Sequence, residues 1–468
     1  MTKLGARVLG VLGGFYALVV SLVYTLIVTR RLQLSDLATL TVFNAGYGIA
    51  TAFLGYATTW YPRILAKEPH RISELASVGL LVSILAWVIF TVYMALLGKF
   101  YASIAVLALI LLVLASWPLG AYLLIYQQRL LALLGYVSQT IKLGGAYFIK
   151  SYPTVEVVLS VNVAMSLPTI FVKRIALKFS NVIPTLKELI RGAPYQTLSI
   201  LATLAGAGVT YVISLGGGDA LLAYNYLLAQ VVKAVQPALP VVTLMYGSLL
   251  VVEDKLRRAL IDGTIMLYIY LVVAAVVAKN PEWYLLVLRP SEATNTELLS
   301  AVRLNGFAFI AWGLLFHADT VLKGMEEKPI IGLKDKPAKA LMLDISTYPV
   351  MYLLTYVMIK TYGVSGLVIS SAITSAVMLI YRLVLLGSAF LVLGKKLYLP
   401  TILALFTLYV IPIPQFPYAG GPILTTILSY VPNAVILATV TLVLFAALSP
   451  PARETLFILL RRLRGNSA

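Results

Sequence analysis

The stretch Val8-Leu-Gly-Val-Leu-Gly-Gly-Phe-Tyr-Ala-Leu-Val-Val-Ser-Leu-Val-Tyr-Thr-Leu-Ile-Val28 decides the fold class. It carries no charge, and a helix of this length crosses the ~30 Å hydrocarbon core of a bilayer. Lys3 and Arg7 precede it, and Arg30 and Arg31 follow it. The run is too long for the apolar region of a secretory signal, and no small-x-small cleavage site follows. It is expected to stay in the mature chain as a membrane span.

Thirteen further apolar runs follow the same pattern, at 38–58, 75–97, 101–125, 131–149, 154–172, 193–214, 221–245, 262–278, 298–322, 341–360, 364–390, 398–413 and 423–448. An all-α polytopic membrane protein of about fourteen transmembrane helices is therefore expected. The composition agrees: 60% of the 468 residues are hydrophobic and 12% are charged, about half the charged share of a soluble domain. A soluble enzyme, a disordered chain and a nucleic-acid-binding domain are excluded. With no cysteine and only His70 and His317, thiolate chemistry is absent and a metal site is not expected. No cofactor and no nucleic-acid partner are expected.

The formal charge of +18 is mainly a topology signal. With the N-terminus placed in the cytoplasm, 25 of the 36 Lys and Arg residues fall on cytoplasmic segments and seven on the opposite side. Positive residues accumulate on the cytoplasmic side of membrane proteins, so both termini are expected there, in the cell membrane. The loop after the sixth span is basic and holds an expected amphipathic helix around Ile183–Leu189. The segment Pro450–Gly465 reads as a Pro-started amphipathic helix facing anionic membrane lipid. Trp60, Tyr61, Trp283 and Tyr284 read as interfacial anchors.

Two stretches echo each other, Tyr24–Phe43 and Tyr211–Tyr226. Each ends a span, crosses a tight loop containing an aspartate (Asp36, Asp219) and starts the next span with small and aromatic residues. Six spans, a basic loop, six spans and two more make an internal repeat, a feature of transporters. The repeat divides the chain into 1–173, a connecting loop 174–192, 193–396, two extra helices in 397–449 and a cytoplasmic tail 450–468.

At three places the sequence resembles the polysaccharide flippases of the multidrug/oligosaccharidyl-lipid/polysaccharide (MOP) exporter superfamily. Thr29-Arg-Arg-Leu-Gln-Leu-Ser-Asp-Leu-Ala-Thr-Leu40 resembles the turn after that family's first helix. Gln127-Gln-Arg-Leu-Leu-Ala-Leu-Leu-Gly-Tyr136 resembles the polar step before its fifth. Tyr362-Gly-Val-Ser-Gly-Leu-Val-Ile-Ser-Ser-Ala-Ile-Thr374 resembles the turn before its twelfth. Leu37, Leu367 and the extra Arg31 depart from the pattern. The resemblance implies two pseudo-symmetric six-helix bundles around a central cavity, alternating access, and a polyprenyl-linked sugar as substrate. A monomer is expected.

Ionisable residues inside spans are costly, so they mark functional sites. Lys142, Lys233 and Arg303 are the candidate cavity cations, with Arg30 at the end of the first span. Fixed positive charge would compensate a lipid-linked (pyro)phosphate, Arg through paired hydrogen bonds and Lys as a point charge. For Arg30 the alternative is a headgroup-snorkelling arginine. Arg382 reads as structural, either snorkelling or paired. Gln230 and Gln236 flank Lys233 at helical spacing, and the alternative there is a helix–helix hydrogen-bonding face. Asn44, Tyr47, Asn225 and Gln230 are candidate sugar contacts; Asp319 and Asp344 are candidate ion-coupling residues. Gly46 and Gly48 suggest close packing or a bend, Ala202 and Gly206 close helix packing. Pro237, Pro240 and Pro349 are candidate hinges.

Two rivals remain. A cation-coupled multidrug or small-molecule antiporter of the same superfamily would need an intramembrane carboxylate. A membrane glycosyltransferase or polymerase of lipid-linked sugars would need a catalytic constellation on a large external loop, and no paired acidic motif is present. No phosphate-cradling loop motif appears either. The expected role is therefore transport rather than catalysis.

Overall fold

The computed structural model describes residues 3–99, 119, 122–123, 128–171, 177–191, 194–234, 245–246, 249, 253–326, 331–414, 416–417 and 422–463. Most of these residues are helical, with no strand among them. In hydrocarbon each backbone polar group needs an internal partner, and helices supply one within a single segment. Among the described residues, seven helices are long and apolar enough to cross a membrane. Most of the expected span 101–125 lies outside the described residues. The chain forms two compact units, Met1–Tyr226 and Leu227–Ala468. This packing boundary differs in kind from the sequence repeat, whose halves meet at 174–192.

Unit 1 holds α1 (Lys3–Arg31), α2 (Leu34–Lys67), α3 (Ile72–Leu96), α4 (Gln128–Ser151), α5 (Val155–Phe171), α6 (Val182–Arg191) and most of α7 (Pro194–Ala229). α1 packs along α4, α2 along α3, and α4 along α5. Between α1 and α2 the Gln33 N–H donates to Asp36 Oδ2 at 3.4 Å, within a reciprocal capping box. The matching aspartate of the repeat lies at a break. Gly218 adopts φ 64° and ψ −156° inside α7, a conformation open essentially to glycine alone. Asp219 beside it accepts from Lys99 Nζ at 2.8 Å. On the α2 side, the Thr41 hydroxyl donates to the Leu222 carbonyl of α7 at 2.8 Å. Gly46 lies against Phe90 and Tyr93 of α3, as the close-packing reading expects, whereas nothing lies within 4 Å of a Cβ on Gly48.

The connecting segment is strapped to this unit. Val182 of α6 joins a buried cluster with Leu65, Ile72, Leu75 and Val78. Arg71 bridges Glu68 and Glu74 at 3.3 Å each, Glu188 at 3.1 Å and the Thr185 hydroxyl at 3.2 Å. Asn181 donates to Glu74 at 2.8 Å. The amphipathic helix expected from sequence forms, and its apolar face closes on the α2–α3 elbow.

Unit 2 holds α8 (Lys255–Lys279), α9 (Pro281–Leu288), α10 (Thr296–Met325), α11 (Lys336–Leu386), α12 (Ser388–Leu393), α13 (Leu399–Val410), α14 (Ile423–Leu448) and α15 (Pro450–Leu463). Asp254 and Asn295 cap α8 and α10 by accepting from the Arg257 and Leu298 N–H groups. α8 and α10 run antiparallel through the core: Gly263 meets His317, Tyr270 meets Gly313, and Ala278 meets Gly306. The C-terminal helices belong to this core. Tyr268 donates to the Ala438 carbonyl at 3.1 Å, and Asn280 donates to the Tyr430 hydroxyl at 2.7 Å. Lys279 caps the last carbonyls of α13, those of Tyr409 at 2.6 Å and Ile411 at 3.1 Å.

α11 is a hairpin of two helical arms that meet at Gly363 (φ 54°, ψ −130°). The Glu297 carboxylate accepts from the Val364 N–H at 3.0 Å and so caps the second arm. Two sequence expectations need correction here. The span set at 364–390 ends at Leu386, because Gly387 turns the chain with φ 64°. The next helical run starts at Ser388, ten residues before the expected 398, and reaches Val410 through a π-helical turn, Gly394–Tyr398. Lys395 and Lys396 therefore lie within that turn and not in a loop. Trp283 and Tyr284, expected as interfacial anchors, also make packing contacts within this unit. Trp283 stacks on Tyr430 at 4.0 Å between ring centroids, and the buried Tyr284 donates to the Leu227 carbonyl at 2.6 Å.

Candidate functional site

In unit 1 the charged focus is the seam between α1 and α4. Lys142 is half-buried, and its Nζ donates to the Ser21 hydroxyl at 2.8 Å. The same ammonium stands 5.1 Å from the centroid of the Tyr24 ring, within cation–π range. Tyr24 is buried and directs its hydroxyl at the Val158 carbonyl of α5 at 3.4 Å. Two residues before Lys142, Thr140 shares a hydrogen bond of 3.1 Å with Tyr16, and Tyr16 stacks on Tyr136. The seam thus carries a hydroxyl- and aromatic-rich strip around one cation. No carboxylate pairs with Lys142 among the described residues.

The other candidates of this unit are spread. Arg30 is half-buried at the end of α1 and Arg31 is exposed. Asn44 is exposed, and Tyr47 stacks on Phe43 at 5.9 Å. Asn225 is half-buried near the end of α7.

In unit 2, Arg303 is exposed on α10 and Gln230 is buried. Lys233 lies in the short helix Val231–Ala234, with its side chain outside the described residues, as are Gln236, Pro237 and Pro240. Pro349 lies within the first arm of α11.

The strongest charge constellation of this unit joins three candidates. Asp344 and Arg382 stand on opposite arms of α11, nineteen residues to either side of Gly363. Both are 4% exposed. The Arg382 guanidinium engages both oxygens of the Asp344 carboxylate through Nη1 and Nη2. Its Nε donates to Asp319 Oδ1 of α10 at 3.4 Å, and the other Asp319 oxygen takes Lys323 Nζ at 2.6 Å. Nearby, Thr347 and Tyr381 share a hydrogen bond of 2.8 Å across the same arms. Of the two alternatives open for Arg382 in the sequence, pairing is the one realised. At ~1.5 Å per residue, nineteen residues place this pair about 28 Å along the hairpin from its tip.

A second buried polar node was not anticipated. His317 is fully buried, with Nε2 3.2 Å from the Ala259 carbonyl and Nδ1 2.9 Å from the Tyr398 hydroxyl. A carbonyl only accepts, so Nε2 carries the proton and Nδ1 accepts from the tyrosine. The node ties α8 and α10 to the π-helical turn. The signal that could have found it is a lone histidine in an otherwise apolar run, which needs two buried partners. Among the described residues no group of three or more His, Asp or Glu could hold a metal.

No protein-family model matches the chain. No curated protein matches it either. Solved structures do. The chain is similar to the lipid II flippase MurJ in an inward closed conformation, with a TM-score of 0.66 at 12% identity, over 94% of this chain and 99% of that one. It is similar to a multidrug resistance MATE family transporter of the MOP superfamily in an inward-facing conformation, with a TM-score of 0.56 at 18% identity, over 84% and 96% of the two chains. A MATE structure in the bent conformation gives 0.51 at 16% identity, over 88% and 100%. The chain is a polytopic helical protein with a transporter fold. Its fold is shared with these MurJ and MATE structures.

Proposed function

We propose that this chain is a flippase that moves a polyprenyl-(pyro)phosphate-linked oligosaccharide across the cytoplasmic membrane by alternating access. Lys142 is the observation that carries the reading. It is a half-buried cation in an expected membrane span, held by a hydroxyl and an aromatic face, with no acidic partner among the described residues. Such a group compensates an anion that must pass through hydrocarbon, and its tyrosine and threonine neighbours suit sugar hydroxyls. Arg30, Lys233 and Arg303 are proposed as further phosphate ligands, and Asn44, Tyr47, Asn225 and Gln230 as sugar contacts. The proposed orientation puts both termini in the cytoplasm, with the chain acting as a monomer. The fold alone supports the cation-coupled antiporter equally. The membrane-embedded acids Asp319 and Asp344 are both paired to Arg382, which favours the flippase.

The test is reconstitution in liposomes with a fluorescent polyprenyl-diphosphate sugar, whose exposure to an added quencher reports flipping. Loss of a charge-assisted hydrogen bond of ~1.5–3 kcal/mol predicts a roughly 10- to 100-fold slower rate for Lys142→Ala, and Lys142→Arg is expected to retain flipping. Export of a cationic dye driven by a proton or sodium gradient, without sugar-lipid flipping, would establish the antiporter instead.

A further inference from the structure

The acidic pair of unit 2 raises the question of what balances it. Four protein oxygens surround the Arg382 guanidinium: both carboxylate oxygens of Asp344, Oδ1 of Asp319, and the Met378 carbonyl at 3.3 Å from Nη1. An all-oxygen set of carboxylates and a carbonyl is also what a hard cation selects. The charges close on one unit. Asp344 and Asp319 carry two negative charges, Lys323 at 2.6 Å from Asp319 supplies one positive, and the guanidinium supplies the other. Without it, one negative charge would stay buried in the helix core, where an unpaired carboxylate is strongly disfavoured.

We propose that Arg382 is a built-in counter-cation filling a site for one monovalent cation formed by Asp344 and Asp319. The transport cycle of this chain then runs without taking Na⁺ or a proton onto these two acids. The site lies within unit 2, between α10 and the two arms of α11, and Tyr348 and Tyr381 are the other ionisable side chains beside it on those arms. A mobile ion gains access only if the guanidinium leaves Asp344, and both residues are 4% exposed. Divalent ions do not fit the charge count, since a single positive charge restores neutrality. The inference deepens the transport reading by naming what does not drive it, and its binding test stands apart from that reading.

The experiment compares thermal unfolding of the purified full chain in sodium chloride and in choline chloride of equal concentration. Wild type is expected to unfold at the same temperature in both. Arg382→Gln is expected to be destabilised and to recover selectively in sodium, by about 3–6 °C when sodium is tenfold above its Kd. Recovery of Arg382→Gln on acidification in choline, absent from the double variant Arg382→Gln/Asp344→Asn, would assign the vacated site to a proton and equally supports the proposal. The double variant is expected to ignore the choice of salt. Selective stabilisation of wild type by sodium overturns the proposal, as does an Arg382→Gln protein that responds to neither cation. If Arg382→Gln does not fold, the wild-type comparison decides together with Arg382→Lys, which keeps the charge and is expected to be indifferent to sodium. In liposomes, wild-type flipping is expected at equal rates in the two salts. A protein that flips in neither salt defeats the proposed substrate and leaves the unfolding result intact.

Discussion

Gly306 offers a sharp test of how α8 and α10 meet. A Cβ added there would lie 2.7 Å from the Ala274 carbonyl oxygen, 2.9 Å from the Ala278 Cβ and 3.2 Å from the Ala278 nitrogen. Two of these neighbours are helix backbone and cannot swing aside. Carbon contacts settle near 3.5–4.0 Å, so Gly306→Ala forces the two helices apart by several tenths of an ångström. Overpacking of this kind costs ~1–3 kcal/mol, against which alanine returns up to ~1 kcal/mol of helix propensity. The net expectation is a loss of about 1–2 kcal/mol. Gly144 of α4 is the matched control, because nothing lies within 4 Å of its added Cβ. There the propensity gain stands alone, and Gly144→Ala is expected to stabilise by up to ~1 kcal/mol. At ~2–4 °C per kcal/mol for units of this size, differential scanning fluorimetry in detergent resolves the opposite signs. A Gly306→Ala protein as stable as Gly144→Ala would refute the tight α8–α10 seam.

Two further outcomes follow from the turns and straps. Gly363→Ala places a side chain at φ 54° and against the Glu297 carboxylate that caps Val364; a loss of at least ~1–2 kcal/mol is expected, read as a lower unfolding midpoint, and an unchanged midpoint would contradict the loop-free tip. Arg71→Ala removes the Glu188 ion pair and the Thr185 hydroxyl contact that hold α6 to the α2–α3 elbow. Limited trypsin digestion is expected to cut faster at Lys178 and Lys187, and an identical cleavage rate would show that the Val182 cluster and the Asn181–Glu74 hydrogen bond hold the strap without Arg71.

Much of the fold was legible because hydrocarbon imposes a simple rule on the backbone. Long apolar runs such as Val8–Val28 had to become helices, and basic segments such as 173–192 had to lie between them. Gly363 was visible as a turn within the resemblance at 362–374. Illegible features were those set by tertiary contact. The Lys395-Lys396 dipeptide looked like a loop, yet it sits in a π-helical turn tied down by Ser449, whose hydroxyl donates to the Lys396 carbonyl at 2.9 Å. Trp283 and Tyr284 had the composition of a membrane border, and their contacts with Thr426, Tyr430 and Leu227 had no signal in the sequence. The Asp344–Arg382 pair was nearly readable: folding the sequence about Gly363 brings two residues at equal spacing face to face. The ion-coupling expectation treated each aspartate alone and so overlooked the third group between them.

That spacing has a consequence for how the protein is made. Asp344 leaves the ribosome 38 residues before Arg382 does. At ~5–20 residues per second, the wait lasts roughly 2–8 seconds. During it, Asp344, which lies toward the end of the first arm away from the tip and is buried in the folded unit, has no guanidinium to meet, and an unpaired carboxylate in a membrane segment is costly. The first arm of α11 is therefore a poor candidate for release into lipid by itself. Its insertion should be held until the second arm arrives, so that the two enter together as an already neutral pair.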